Sequence, residues 1–214
     1  MKHQAEPVAY LWWLVSRASG IVALILISLS VMIGLAMSSN ALGRPGTKRI
    51  LAKLHEHVAV TALLAIGGHG ASLLGDHWLR PGLSGIAVPF AMAYRPAFTG
   101  IGIIGGYLAL VLGPSFYLRR RIGARRWRRL HSLIAVAWML SVVHAFGSGS
   151  DAHQLWLRVL ALAPAIPIAY LFVVRIFKPT PSRQRHSVEH ARRRPSAFSG
   201  ARSFVAGSAM ERSD

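Results

Sequence analysis

The sequence contains no cysteine. Disulfides, thiolate metal ligands, iron–sulfur clusters and covalent CxxCH cofactor attachment are thereby excluded. Any redox metal must be held without a thiolate, with nitrogen and oxygen the expected ligands. Acidic residues are scarce too: Asp and Glu number 7 against 25 Lys and Arg, and charged residues make up only 15% of the chain. A soluble domain usually carries about 25%. There is no Ser/His/Asp set, no paired carboxylates and no HExxH stretch, and Glu56 is the only acid inside an apolar segment. Hydrolytic chemistry of those kinds has no residues to work with.

Long apolar runs fill the space instead. Hydrophobic residues make up 53% of the 214, and five windows, at about 9–37, 53–75, 98–118, 130–147 and 156–177, can each cross a bilayer. A crossing needs about 20 residues at 1.5 Å rise each. The expected fold is an all-α membrane protein, a five-helix transmembrane bundle. The first apolar run is about 30 residues long, beyond the roughly 7–15 of a signal peptide's apolar h-region, so it is expected to stay as an anchor.

The formal charge of +18 is distributed unevenly. Arg44, Lys48, Arg49 and Lys53 surround the first connection, and Arg119, Arg120, Arg121, Arg125, Arg126, Arg128 and Arg129 fill the third. The second has Arg80 and Arg95 beside Asp76, and the fourth has Arg158 beside Asp151. This alternation follows the positive-inside rule. It predicts an outside N-terminus, cytoplasmic Arg-rich turns and a cytoplasmic C-terminus, and it makes lipid, not nucleic acid, the expected partner. Residues 1–8 read as a polar lead, 9–177 as the membrane domain and 178–214 as a disordered basic tail, too short for a flavin or nicotinamide domain. Residues 76–97 read as a Gly/Pro-punctuated outer connection along the membrane surface.

Ten histidines are present. His3, His186 and His190 lie in polar ends, and His77 and His153 in outer connections, where solvated surface is the default. His55, His57, His69, His131 and His144 lie within or at the rims of spans two and four. An ionisable side chain at membrane depth is costly and usually functional. His55 and His69 are 14 residues apart and His131 and His144 are 13 apart, about 21 and 19.5 Å along a helix. Spans two and four run in the same direction, so His55 comes level with His131 and His69 with His144. Two imidazoles at one height on neighbouring helices can ligate one iron, and two such levels can hold two stacked haems. Hydrogen-bonded core imidazoles or a proton relay are the other readings.

Phase separates the two pairs. Fourteen residues are two heptads and bring ligands back to nearly one face. Thirteen leave about 140° on a straight helix, so span four must bend or present its ligands on different flanks. His57, about 160° around the helix from His55, is expected to pack or support. Gly67, Gly68 and Gly70 flank His69, and Gly147 and Gly149 follow His144. Residues without side chains admit a flat macrocycle or a neighbouring helix. Arg17, inside span one in SRASG, and Arg95 in YRP need partners, which a haem propionate or the headgroups would supply. Gly100-Ile-Gly102-Ile-Ile-Gly105 fits the dinucleotide fingerprint GxGxxG. It opens a membrane span and has Arg119–Arg121 where an acid belongs, so helix packing is expected.

The two spaced histidine pairs, with SRASG in span one and YRP before span three, resemble the ferric reductase-like transmembrane domain, the superfamily of NADPH oxidases, ferric reductases and the haem-bearing subunit of methionine sulfoxide reductase systems. The resemblance covers about residues 9–177. It implies that His55, His69, His131 and His144 ligate two b-type haems and that electrons cross from the cytoplasm outwards. Many relatives carry a fused FAD/NAD(P)H domain. Here the donor is expected to be a separate cytosolic flavoprotein or a quinol, the acceptor extracytoplasmic, and the location the plasma membrane. Bis-histidine ligation fills both axial positions, so relay is expected rather than oxygen binding. Two other classes remain on the residues alone: a proton or metal transporter using these histidines, and a non-catalytic anchor.

Overall fold

Prolines and glycines decide where the helices begin and stop. Pro7 opens α1 (Pro7–Ser38) and Pro45 opens α2 (Pro45–Ser72). A proline's missing N–H costs nothing in a first turn, where that donor has no helical partner. After a 3₁₀ turn at Leu73–Gly75 and the short α3 (Gly82–Ala87), Pro96 sits in the first turn of α4 (Pro96–Leu112), which ends at Gly113-Pro114. The Arg-rich turn forms α5 (Arg119–Ile122) and α6 (Ala124–His131), separated by Gly123 at φ +88°. Then follow α7 (Ile134–Ser148), α8 (Leu155–Leu162) and α9 (Ala165–Phe177).

This computed structural model describes residues 7–39 and 45–177, and no strand occurs among them. Arg44 and the expected tail at 178–214 lie outside the described residues, as does most of the expected polar lead. Five stretches are long and apolar enough to span a membrane: Tyr10–Ser38, Gly46–Gly75, Pro96–Phe116, Ala124–Ser148 and Leu155–Arg175. The protein is an all-α, multi-pass membrane protein.

Two of these spans are broken. In the fourth, α6 and α7 meet at Ser132–Leu133, where Leu133 N–H donates to Leu130 O at 3.0 Å and Val136 N–H to Leu133 O at 2.9 Å. Such three-residue closures tighten the helix locally. The helix is therefore tightened directly after His131, between the two histidines of this span. The fifth breaks at Ala163–Pro164, where proline's missing N–H and its clash with the preceding turn interrupt the ladder.

The bundle is two helix hairpins laid together. α1 packs along α2, α4 packs along α7, and α1 touches α7 and α8. Its buried core collects Leu24, Ile27 and Val31 of α1, Ala137, Trp138 and Val142 of α7, and Ala161 of α8. Trp138 Nε1–H donates to Ser28 Oγ at 2.9 Å, which satisfies an indole that would otherwise be stranded in hydrocarbon. Large apolar side chains point outward, with Leu64 70%, Val111 68% and Ile166 77% exposed, as lipid-facing positions require.

The GxGxxG glycines are packing residues. A Cβ on Gly100 would run into the Phe90 ring, one on Gly102 into His144, and one on Gly105 would lie 3.2 Å from Leu140 Cβ and 3.3 Å from Ala137 O. Close backbone approach of this kind holds helices together in lipid. Gly105→Val is expected to wedge α4 off α7 at a cost of about 1–3 kcal/mol. Thermal unfolding in detergent checks this: a lower midpoint than wild type is expected, and an unchanged one would refute the packing role.

Candidate functional site

The site is built from one element repeated. A backbone carbonyl on a supporting helix accepts a hydrogen bond from the Nδ1–H of a histidine on the helix beside it. On α1, Ser16 O takes His69 Nδ1–H at 2.8 Å and Ser30 O takes His55 Nδ1–H at 3.0 Å. The serine hydroxyls lie 3.3 Å from the same nitrogens. On α4, Phe98 O takes His144 Nδ1–H at 2.9 Å and Leu112 O takes His131 Nδ1–H at 3.0 Å. A carbonyl can only accept, so these bonds place the proton on Nδ1 in all four rings.

Helix carbonyls are normally spent on the N–H four residues on. A side chain at that position also leans back over the preceding turn and covers the carbonyl. Glycine removes the cover. Gly20 follows Ser16 by four residues, Gly34 follows Ser30, and Gly102 follows Phe98. A Cβ on Gly20 would lie 3.0 Å from His69 Nδ1, one on Gly34 3.4 Å from His55 Cε1, and one on Gly102 2.4 Å from His144 Nδ1. Leu112 needs no such glycine because α4 ends there and its carbonyl lacks a helical partner.

With Nδ1 turned to the supporting wall, Nε2 carries its unshared pair away from it. The rings then meet in twos. His55 and His131 have centroids 6.3 Å apart with planes at 84°, and His69 and His144 have centroids 6.1 Å apart with planes at 72°. The former pair lies at the Arg-rich end and the latter at the opposite end, so the structure brings together the level pairs expected from spacing. His57 joins neither. It is exposed, and its Nδ1–H donates to Lys53 O at 2.7 Å on its own helix. His77 and His153 are exposed. No group of three or more metal-ligating side chains occurs among the described residues, so a metal here would have two protein ligands.

The two levels differ in what surrounds them. Trp127 stacks on His131, centroids 5.1 Å apart and planes at 25°, and its Nε1–H donates to Ser115 Oγ at 3.2 Å. At the opposite end a cavity of about 650 Å³ opens beside His69 and His144, within the usual range for cofactor sites. Gly67 and Gly70 line it, and a Cβ on Gly67, Gly68 or Gly70 would meet nothing within 4 Å. Gly147 instead packs against Phe98.

Arg17 lines this cavity, and its partner is Asp151: Nε–H donates to one carboxylate oxygen at 2.7 Å and Nη2–H to the other at 2.8 Å. Arg95 is placed elsewhere. It adopts φ +45° at the start of α4, reaches the Gly147 carbonyl through Nη1, and is not among the cavity's lining residues. Sequence reading missed Asp151, Trp127 and the carbonyl supports. The supports do leave a signal. S-x3-G occurs at Ser16–Gly20 and again at Ser30–Gly34, fourteen residues apart like His55 and His69.

Fold and site together define a multi-pass helical membrane protein with paired imidazoles at two depths. The family described as ferric reductase like transmembrane component matches residues 19–142, more than half of the chain. The protein belongs to that family, and membership points to a membrane electron-transfer component. No solved structure matches it.

The glycine rule has a graded consequence. Alanine at Gly102, Gly20 and Gly34 is expected to lower the thermal midpoint in that order, following the approaches of 2.4, 3.0 and 3.4 Å. Alanine at Gly67 is expected to be neutral or stabilising by up to about 1 kcal/mol, the ordinary helix preference. A midpoint for Gly102→Ala at or above that of Gly67→Ala would contradict the carbonyl-uncovering role.

Proposed function

We propose that the protein binds two b-type haems, one between His55 and His131 and one between His69 and His144, and passes electrons across the membrane. The donor is a cytosolic flavoprotein or a quinol, and the acceptor is extracytoplasmic. The observation that carries this reading is the spacing of like, acceptor-bearing imidazoles. A metal–nitrogen bond is about 2.0–2.1 Å and a ring centroid lies roughly 1.1 Å behind its nitrogen, so two rings trans on one metal have centroids about 6.2–6.4 Å apart. A direct N–H···N bond of about 2.9 Å would bring them to roughly 5.1 Å. The pairs at 6.3 and 6.1 Å agree with the first distance.

The donor chemistry agrees as well. Each ring donates its Nδ1–H to a carbonyl, which leaves Nε2 as an unprotonated acceptor on both rings of a pair. A Lewis acid relieves that arrangement, and a second hydrogen-bonded partner for each ligating ring is the usual support of a metal site. A haem held by His55 and His131, or by His69 and His144, would supply one-electron exchange.

The residues around the pairs have distinct parts in this reading. The carbonyls of Ser16, Ser30, Phe98 and Leu112 fix the tautomer and the ring angle. Open space beside Gly67 and Gly70 leaves room for a flat group. Trp127 keeps water off the face of His131 that it covers, between that ring and the Arg-rich turn. Arg17, on the cavity wall, anchors the carboxylate edge of the bound group. Arg95 ties the start of α4 to the end of α7 and so supports His144, which lies between them.

Purified protein is expected to show the reduced-minus-oxidised bands of b-type haem, and His69→Ala to lose one of two haems. Absence of any haem spectrum after expression with ample haem would end the proposal. Because the paired planes stand at 84° and 72°, the ferric protein is expected to give a highly anisotropic low-spin electron paramagnetic resonance signal. A rhombic spectrum typical of parallel imidazoles would contradict the ring arrangement.

A further inference from the structure

Each histidine pair takes one ring from the α1–α2 hairpin and one from the α4–α7 hairpin, so the gap between its rings is set by how the hairpins dock. Hydrogen bonds cross between them at three depths. Arg17 reaches Asp151 beside His69 and His144, and Trp138 reaches Ser28 in the core. At the Arg-rich end, Tyr117 Oη–H donates to Glu56 Oε1 at 2.8 Å.

This last contact does not fill a core, since Tyr117 is 65% exposed and Glu56 is exposed too. Glu56 is the only acid in the five spans, and a carboxyl there is costly unless it is paired. Seven arginines lie between positions 119 and 129. Among the described residues, none of them bridges to Glu56. A phenol takes the carboxylate instead. Tyrosine has two side-chain torsions, so the tie has little slack.

Both ends of the tie are rooted beside a ring of the pair. Glu56 follows His55 directly on α2, about 100° around the helix. Tyr117 closes the segment 112–117, which carries the supports on the other side. Leu112 O accepts from His131 Nδ1–H, and Ser115 Oγ accepts from Trp127 Nε1–H. The Phe116 ring meets the Tyr117 and Trp127 rings, each centroid 5.7 Å away, and Trp127 stacks on His131. The Ser30 carbonyl fixes His55 only within its own hairpin. A side-chain tip lies about 5–6 Å from its helix axis, so a turn of α2 by about 10° moves it by roughly 1 Å. A metal–ligand distance tolerates about 0.2 Å.

We infer that Tyr117 and Glu56 are positioning residues that set the gap between His55 and His131. The inference rests on the haem reading and deepens it for this level. The hydrogen bond between the two side chains, rather than the charge of Glu56, holds the rings at the distance a shared metal requires.

The test follows transfer of ferric haem from the purified, haem-loaded protein to excess apomyoglobin by absorbance. A His69→Ala background leaves the His55/His131 level, and a His55→Ala background leaves the other. In the former, Tyr117→Phe and Glu56→Ala are each expected to speed release about fivefold, the worth of one hydrogen bond. The double variant is expected to match the single ones, because all three lack the same bond. Glu56→Gln keeps an accepting oxygen and is expected to keep the parent rate. In the His55→Ala background none of these changes is expected to alter release. Equal release from all variants would overturn the positioning role. So would faster release from both levels alike, or a Glu56→Gln variant as fast as Glu56→Ala. Absence of haem from both backgrounds would overturn the haem reading, and the inference with it.

Discussion

Every feature of the site depends on one hydrogen bond made four times, from an imidazole Nδ1–H to a backbone carbonyl of the neighbouring helix. A neutral imidazole has one donor and one acceptor nitrogen. Fixing the donor against a rigid wall fixes where the acceptor points, and in a lipid environment no water competes for either. Two side chains held this way on facing hairpins converge without touching, and the distance left between them suits a metal bound to both.

The supports recur with a common period. Ser16 and Ser30 on α1 are fourteen residues apart, and so are Phe98 and Leu112 on α4. Two heptads bring a packed helix back to nearly the same face, so each supporting helix offers carbonyls on one side at two depths, about 21 Å apart. α2 follows the same period with His55 and His69. The α6–α7 segment does not: His131 and His144 are thirteen positions apart, and the tightened turn at Ser132–Leu133 falls between them. Glycine is the complement of this scheme: it uncovers the carbonyl where the helix continues, and it is dispensable where the helix ends.

The two depths are alike in their paired, carbonyl-held imidazoles and unlike in surroundings. One ring pair lies beneath Trp127 and the arginines of α5 and α6, and the other beside a cavity edged by the neutralised pair Arg17–Asp151. Arg17 illustrates why a half-buried cation in a membrane span cannot be assigned a partner from its own segment. Its carboxylate comes from a residue 134 positions away, and only the packing of α1 near the end of α7 makes that contact.

Much of this protein could be read from one dimension. Five apolar runs fix the helical class, because a backbone in lipid must satisfy its own hydrogen bonds. Missing cysteine removes thiolate metal ligands, and the intervals between His55 and His69 and between His131 and His144 set the depths of those histidines, since rise per residue is constant in a helix. Tertiary structure decided the rest: which ring faces which, which nitrogen keeps its proton, where Arg17 finds its counter-charge, and why Arg95 turns to Gly147. Those outcomes depend on carbonyls and side chains brought together from distant segments, and a carbonyl has no letter of its own in a sequence.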